Sequence, residues 1–175
     1  REIVRAGNSI VVRLRLYAVL SVPRLYGVEV LEIPMLCAGA GESSGRNDEW
    51  LFDFDAIEQA FANGCHAFVL CNPHNPIGKV LTLEEELRLS DLAAQYDVRI
   101  FNDEIHAPFV FEGKHIPFPT ISEQAALQSM TATSASKSFN IPGTKCAQVL
   151  LTNPADRDMW AVKAEWSEHQ TATIG

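Results

Sequence analysis

The sequence predicts an α/β domain with a mainly parallel sheet flanked by helices, and three observations carry that prediction. Short apolar runs of strand length recur along the 175 residues. Helix-length stretches with start and stop signals lie between some of them. A strand, a helix and a second strand in that order have a connection long enough for a crossover, which implies parallel pairing with a right-handed connection.

The candidate strands are Ser9–Val12, Val28–Ile33, Ala67–Leu70, Val98–Phe101, Met130–Thr133 and Ala147–Leu151. The first well-marked helix is expected over Phe54–Asn63, where Asp55-Ala-Ile-Glu58 has capping-box spacing and Gly64 follows as a stop. Leu25 fits an earlier helix. The clearest helix runs from Thr82 to Tyr96: Thr82 and Glu85 have capping-box spacing, and Leu83, Leu87, Leu89 or Ser90, and Ala94 outline an apolar face. Glu84, Glu85, Arg88, Asp91 and Gln95 form its polar side. The small-residue stretch Ala38–Gly45 reads as a flexible surface loop between a strand and the next helix. No internal repeat is visible.

Composition narrows the class. Hydrophobic residues at 47% and charged residues at 21% suit a globular domain and argue against global disorder. Fourteen Lys and Arg against 22 Asp and Glu give a net charge of −8, so neither nucleic acid nor an anionic membrane is an expected partner. The most apolar stretch, Ile10 to Val22, contains Arg13 and Arg15 and does not suit a membrane span. The N-terminus lacks the pattern of a secretory signal, and Cys37, Cys65, Cys71 and Cys146 are too scattered for a disulfide framework, so reduced thiols in a cytoplasm are expected. An opening at Arg1 and an ending at Gly175 in mid-flow suggest a fragment.

Ligands of open α/β sheets collect at the carboxyl ends of the strands. Three clusters stand there. Cys71-Asn-Pro-His-Asn-Pro-Ile-Gly78 places two Asn-Pro steps in a stiff loop, for which a plain rigid turn is the simpler reading. Asn102-Asp-Glu-Ile-His106 sets two adjacent carboxylates at a buried strand end, as a cap for the next element or as a group with a perturbed pKa. Thr131-Ala-Thr-Ser-Ala-Ser-Lys137-Ser-Phe-Asn-Ile-Pro-Gly143 surrounds one lysine with small hydroxyl residues. Such a segment is a solvated loop, or a phosphate cradle whose lysine serves as a point charge or an amine nucleophile. Their coincidence on one sheet edge favours a functional site over three separate accidents.

In order and spacing, Asn72-Pro-His-Asn75-Pro-x-Gly78, Asn102-Asp103-Glu-Ile-His106 and Ser134-Ala-Ser-Lys137-Ser-Phe-Asn-Ile-Pro-Gly143 resemble the signatures of fold type I pyridoxal-phosphate (PLP) enzymes. Within the class I/II aminotransferase family the likeness is nearest to the cystathionine β-lyase-like (MalY/PatB type) subgroup, and it runs from about Ser9 to Leu151. The resemblance implies that residues 1–175 are the central part of a large PLP-binding domain, with an N-terminal segment and a C-terminal small domain absent. It further implies that Lys137 forms the Schiff base with the cofactor aldehyde and later shuttles the Cα proton. Asp103 would bind the protonated pyridine nitrogen, and Asn75 the ring's phenolic oxygen. Ser134, Ser136 and Lys145 would serve the phosphate. His106 takes a position that is a tyrosine in many relatives, which favours the lyase-like subgroup. Tyr17 matches the ring-stacking aromatic, with Arg15 standing where the family commonly has a proline.

The implied activity is carbon–sulfur β-elimination from cystathionine or related cysteine S-conjugates by a cytoplasmic homodimer. The alternatives are transamination of an amino acid with a 2-oxoacid, and a non-enzymatic PLP-binding regulatory domain. Other readings of the same residues are weaker. Ser134-x-x-Lys137 has the spacing of a serine β-lactamase nucleophile, but the accompanying Ser-Asp-Asn and Lys-Thr-Gly are missing. Gly39-x-Gly41 is separated from the preceding strand by Pro34 and further residues, and no helix starts at the glycines. Cys65, His66, Cys71 and His74 lack zinc spacing, so no metal is expected.

Overall fold

A computed structural model describes residues 9–12, 17–38, 49–144 and 146–163. Six strands form the principal sheet: β1 (Ser9–Val12), β2 (Val30–Ile33), β5 (Ala67–Cys71), β6 (Arg99–Asp103), β7 (Ser129–Ser134) and β8 (Ala147–Leu151), in the order β2-β1-β5-β6-β7-β8. All neighbouring pairs are parallel except β7 and β8, which are antiparallel. The expected mainly parallel sheet is therefore present, and its central strands come from the apolar runs of the sequence. β2 starts two residues later than expected, while β6 reaches through Asp103.

A second, two-stranded antiparallel sheet pairs β3 (Leu36–Ala38) with β4 (Glu49–Leu51). The expectation of a loop leading directly from a strand to a helix is corrected here: the small-residue stretch leads into β4 before the helix begins. Of that stretch only Ala38 is described, since residues 39–48 lie outside the described residues.

The helices are α1 (Tyr17–Leu25), α2 (Phe54–Ala62), α3 (Leu83–Gln95), α4 (Glu123–Gln128), α5 (Ala135–Ser138) and α6 (Pro154–Lys163). Asp53, not Asp55, caps α2: its carboxylate accepts a hydrogen bond from the Ala56 amide at 2.9 Å. Asp53 precedes the first helical residue, so its side chain reaches the unpaired amides of the first turn; Asp55 is already inside that turn. Gly64 follows the helix with φ of +90°, a conformation that favours glycine. At α3 the capping box is present as expected, with Glu85 N–H donating to Thr82 Oγ1 at 3.2 Å and Thr82 N–H to Glu85 Oε2 at 2.9 Å.

The core lies between the sheet and α2, α3 and α4. Ile57 and Phe61 of α2, Phe68 and Leu70 of β5, Leu89 and Ala93 of α3, Ile100 of β6 and Phe118 form its centre. Phe61 meets Phe68 edge to face at a centroid distance of 5.9 Å. Truncating the fully buried Phe68 to alanine costs about 3–5 kcal/mol by lost transfer energy and cavity formation. The inward face of α3 is Glu86, Leu89, Ser90 and Ala93, one residue out of phase with the expected apolar face: Leu83 and Ala94 are exposed, and Glu86 is fully buried.

Candidate active site

The ends of β5, β6 and β7 bring the three sequence clusters to one edge of the sheet. Cys71 is the register partner of Asp103, and Asp103 that of Ala132, which places these three residues in one row. The chain then leaves β5 through the Asn-Pro loop, β6 through Glu104–His106, and β7 through Ser134 into α5. Alternation along β6 turns Asn102 and Glu104 into the helix-covered interior and Asp103 toward the opposite face.

Asp103 is partly buried. Its Oδ1 accepts a hydrogen bond from the Ile105 amide at 3.1 Å, while its other oxygen has no hydrogen bond among the described residues. Burial raises its pKa above the usual carboxylate value. The Ile105 amide and the nearby His106 act in the opposite sense, and Glu104 adds a smaller upward push. His106 is half-buried, its ring 6.1 Å from that of Phe109.

The loop carrying Asn75 is held internally. His74 N–H donates to Lys79 O at 2.7 Å, and Gly78 N–H to His74 O at 2.7 Å, with Gly78 at φ +72°. Both Asn72–Pro73 and Asn75–Pro76 peptide bonds are cis. The Asn75 backbone amide faces the buried Cys71 thiol, so Asn75 sits beside the Cys71–Asp103 row.

Lys137 is not on an open loop, as the sequence suggested, but on the short helix α5, with its side chain exposed. Ser134 caps that helix: its hydroxyl oxygen accepts from the Ser136 amide at 3.0 Å. The Ser134 hydroxyl also donates to the Cys146 carbonyl and lies 2.8 Å from the Ser136 hydroxyl. The hydroxyl cluster is thus pre-formed by local bonds, which is why a Ser-x-Ser sequence turns here instead of extending β7. Lys145 lies outside the described residues, and of Tyr17 only the backbone, at the start of α1, is described. No group of three His, Cys, Asp or Glu side chains placed to hold a metal occurs among the described residues.

Sequence reasoning missed the polar layer behind this edge. Asn72, Glu86, Asn102, Glu104 and His115 are packed into the interior. Glu104 Oε1 accepts from the Phe118 amide at 2.8 Å and from Asn102 Nδ2, and its Oε2 is 3.1 Å from His115 Nε2. That last contact has ion-pair distance without hydrogen-bond alignment. The available signal was Glu86 at the head of an i, i+3, i+4, i+7 stripe with Leu89, Ser90 and Ala93.

A mainly parallel sheet with this strand order and a polar cluster at its carboxyl edge defines the fold type I class of PLP-dependent enzymes, as comparison with solved structures bears out. A structure assigned as a PLP-dependent β-cystathionase from Corynebacterium diphtheriae superposes with a TM-score of 0.78 at 31% identity, covering 97% of this chain and 41% of that one. The model of the family "Aminotransferase class I and II" matches residues 18–171, and the chain belongs to that family. Among curated relatives, the cystathionine β-lyase of Corynebacterium glutamicum is 39% identical over 172 residues, 98% of this chain and 43% of the relative. A Saccharomyces cerevisiae protein named as a kynurenine–oxoglutarate transaminase is 34% identical over 119 residues, 68% of this chain and 27% of its own length. The chain therefore spans about two-fifths of the length of the lyase relatives it matches.

Proposed function

We propose that the protein to which this chain belongs is a PLP-dependent carbon–sulfur β-lyase that converts cystathionine or a related cysteine S-conjugate, with water, to pyruvate, ammonia and a thiol. The observation that carries the reading is the meeting of the Asn75 loop, the half-free Asp103 carboxyl, His106 and the Ser134–Lys137 turn at one strand edge. The similarity to a cystathionine β-lyase over nearly the whole chain supports it.

The donor set suits PLP. Asp103 presents an oxygen without a hydrogen bond to a cationic ring nitrogen, and Lys137 carries an exposed amine on a turn fixed by the Ser134 cap. When bound, PLP supplies an aldehyde for amine attachment and an electron sink for the Cα carbanion. Lys137 would hold the aldehyde through its amine, and its Nζ would take the Cα proton of the substrate. Asp103 would keep the ring nitrogen protonated by its charge, Asn75 would donate to the phenolic oxygen, and His106 would serve near that same oxygen. Ser136 and Lys145 would serve the phosphate, together with Ser134 once its hydroxyl turns from the Cys146 carbonyl, and Tyr17 would stack on the ring.

Residues 1–175 form part of the large cofactor-binding domain. The whole protein is a cytoplasmic homodimer that handles a small amino acid and neither nucleic acid nor membrane, in keeping with the −8 net charge of residues 1–175. Among the described residues no helix is long and apolar enough to cross a membrane.

The similarity to a kynurenine–oxoglutarate transaminase supports the second reading, transamination. Both reactions pass through Cα deprotonation, and they diverge afterwards. Supplying the full-length protein with L-cystathionine and no 2-oxoacid separates them. Catalytic release of pyruvate, ammonia and thiol is the expected result; turnover only with an added 2-oxoacid, yielding a new amino acid and no thiol, makes the protein an aminotransferase.

A further inference from the structure

Asn72 stands at the base of the loop that carries Asn75, and it is tied on three sides. Its backbone amide donates to the Asp103 carbonyl at 3.1 Å. Its side-chain Oδ1 accepts from the Leu81 amide at 3.0 Å, closing the loop at its far end. Its Nδ2 donates to Glu86 Oε1 at 2.6 Å. Asn72 and Glu86 are both fully buried, so water cannot replace that last bond. Glu85, the neighbour of Glu86 in the first turn of α3, holds the returning chain through Lys79 at 2.8 Å. Two adjacent residues of α3 thus clamp the loop, one at its base and one at its exit.

We propose that Glu86 is a positioning residue: acting through Asn72, it fixes the 72–81 loop and so sets how firmly Asn75 donates to the phenolic oxygen of the bound cofactor. The inference deepens the cofactor reading given above and rests on it. The hydrogen-bonded carboxyl, not its charge, does the positioning. Burial, with Glu104 and Glu85 facing it, pushes the Glu86 pKa up to about 8 against the pull of Asn72, so the group is mostly uncharged at neutral pH. Glu104 is in turn held by Asn102, Phe118 N–H and His115.

Two substitutions separate this role from simple core filling. Glu86→Gln keeps an oxygen at the same reach for Asn72. Glu86→Asp withdraws the carboxyl by about 1.5 Å, beyond hydrogen-bond range, yet keeps the acid. The readout is the pH midpoint of the visible absorbance of bound PLP in the full-length protein, with circular dichroism to confirm folding. A donor to the phenolic oxygen favours its ionised form, so weakening that donor raises the midpoint. We expect Glu86→Asp and the control Asn75→Ala each to raise it by about one unit, a tenfold change in the ionisation constant, while Glu86→Gln keeps the wild-type value. A wild-type midpoint in Glu86→Asp beside a shifted Asn75→Ala overturns the positioning role alone. A shift in Glu86→Gln equal to that of Glu86→Asp overturns it, because the oxygen that accepts from Asn72 is kept in Glu86→Gln. An unshifted Asn75→Ala overturns both the assignment of Asn75 and the proposal built on it. Should Glu86→Asp fail to fold, the near-isosteric Asn72→Asp removes the same donor and is expected to raise the midpoint likewise; an unchanged midpoint there overturns the proposal.

Discussion

Cys71 and Asp103 are register partners on neighbouring parallel strands, and the Asp103 carboxylate acts on the Cys71 thiol. Burial pushes the Cys71 thiol up to about 11; the Asn75 amide opposes this, and the Asp103 charge reinforces it. A thiol so placed holds far less thiolate at pH 8 than an ordinary cysteine, on the order of 100-fold less. In the folded full-length protein, Cys71 is expected to be alkylated by iodoacetamide at least that much more slowly than in urea. Mass spectrometry of the labelled peptides checks this, and equal rates in the two states contradict the buried pairing.

In the proposed role, Asp103→Ala removes the charge that would keep the ring nitrogen protonated. Turnover is expected to fall on the order of 10²–10³-fold, with PLP still partly bound, because the partner of a developing charge is lost in a water-poor site. Steady-state kinetics on PLP-saturated protein decides the matter. A loss smaller than about tenfold takes Asp103 out of this role.

Glu86 gives a pH dependence of stability with a definite sign. Its pKa is raised from the usual 4.5 to about 8, so between those values the folded state holds a proton that the unfolded chain has released. Its contribution is full below pH 4.5 and is lost as the pH rises through 8. Urea unfolding at a series of pH values is expected to show wild-type stability falling more steeply than that of Glu86→Gln over this window. Parallel curves would place the Glu86 pKa near its ordinary value.

The fold was legible where the deciding interactions are local. The Thr82–Glu85 box involves residues three apart, and apolar runs such as Ala67–Leu70 need only their own pattern to read as buried strands. The cap of α2 differs by two residues from the Asp55–Glu58 spacing: with the helix starting at Phe54 as expected, Asp53 takes the position just before the first turn and Asp55 lies within it. The inward face of α3 was misjudged because Glu86 is buried by a partner 14 residues away, Asn72, which no helical period reveals. The reversal of β8 is likewise a property of tertiary pairing.

At the site, the ordered motifs located Asn75, Asp103, His106 and the Ser134–Lys137 turn on one edge, because all of them sit at strand ends. The short helix under Lys137 was hidden by small residues that suit a loop equally well. Its Ser134 cap depends on the Cys146 carbonyl, 12 residues further on.

The central claim, that the Lys137 amine holds the cofactor at this edge, is tested most directly by borohydride reduction of the PLP-loaded full-length protein followed by peptide mapping. The predicted result is a fixed pyridoxyl group on Lys137, with loss of both the label and the visible absorbance in Lys137→Ala. A label fixed on another lysine, or one retained by Lys137→Ala, contradicts it.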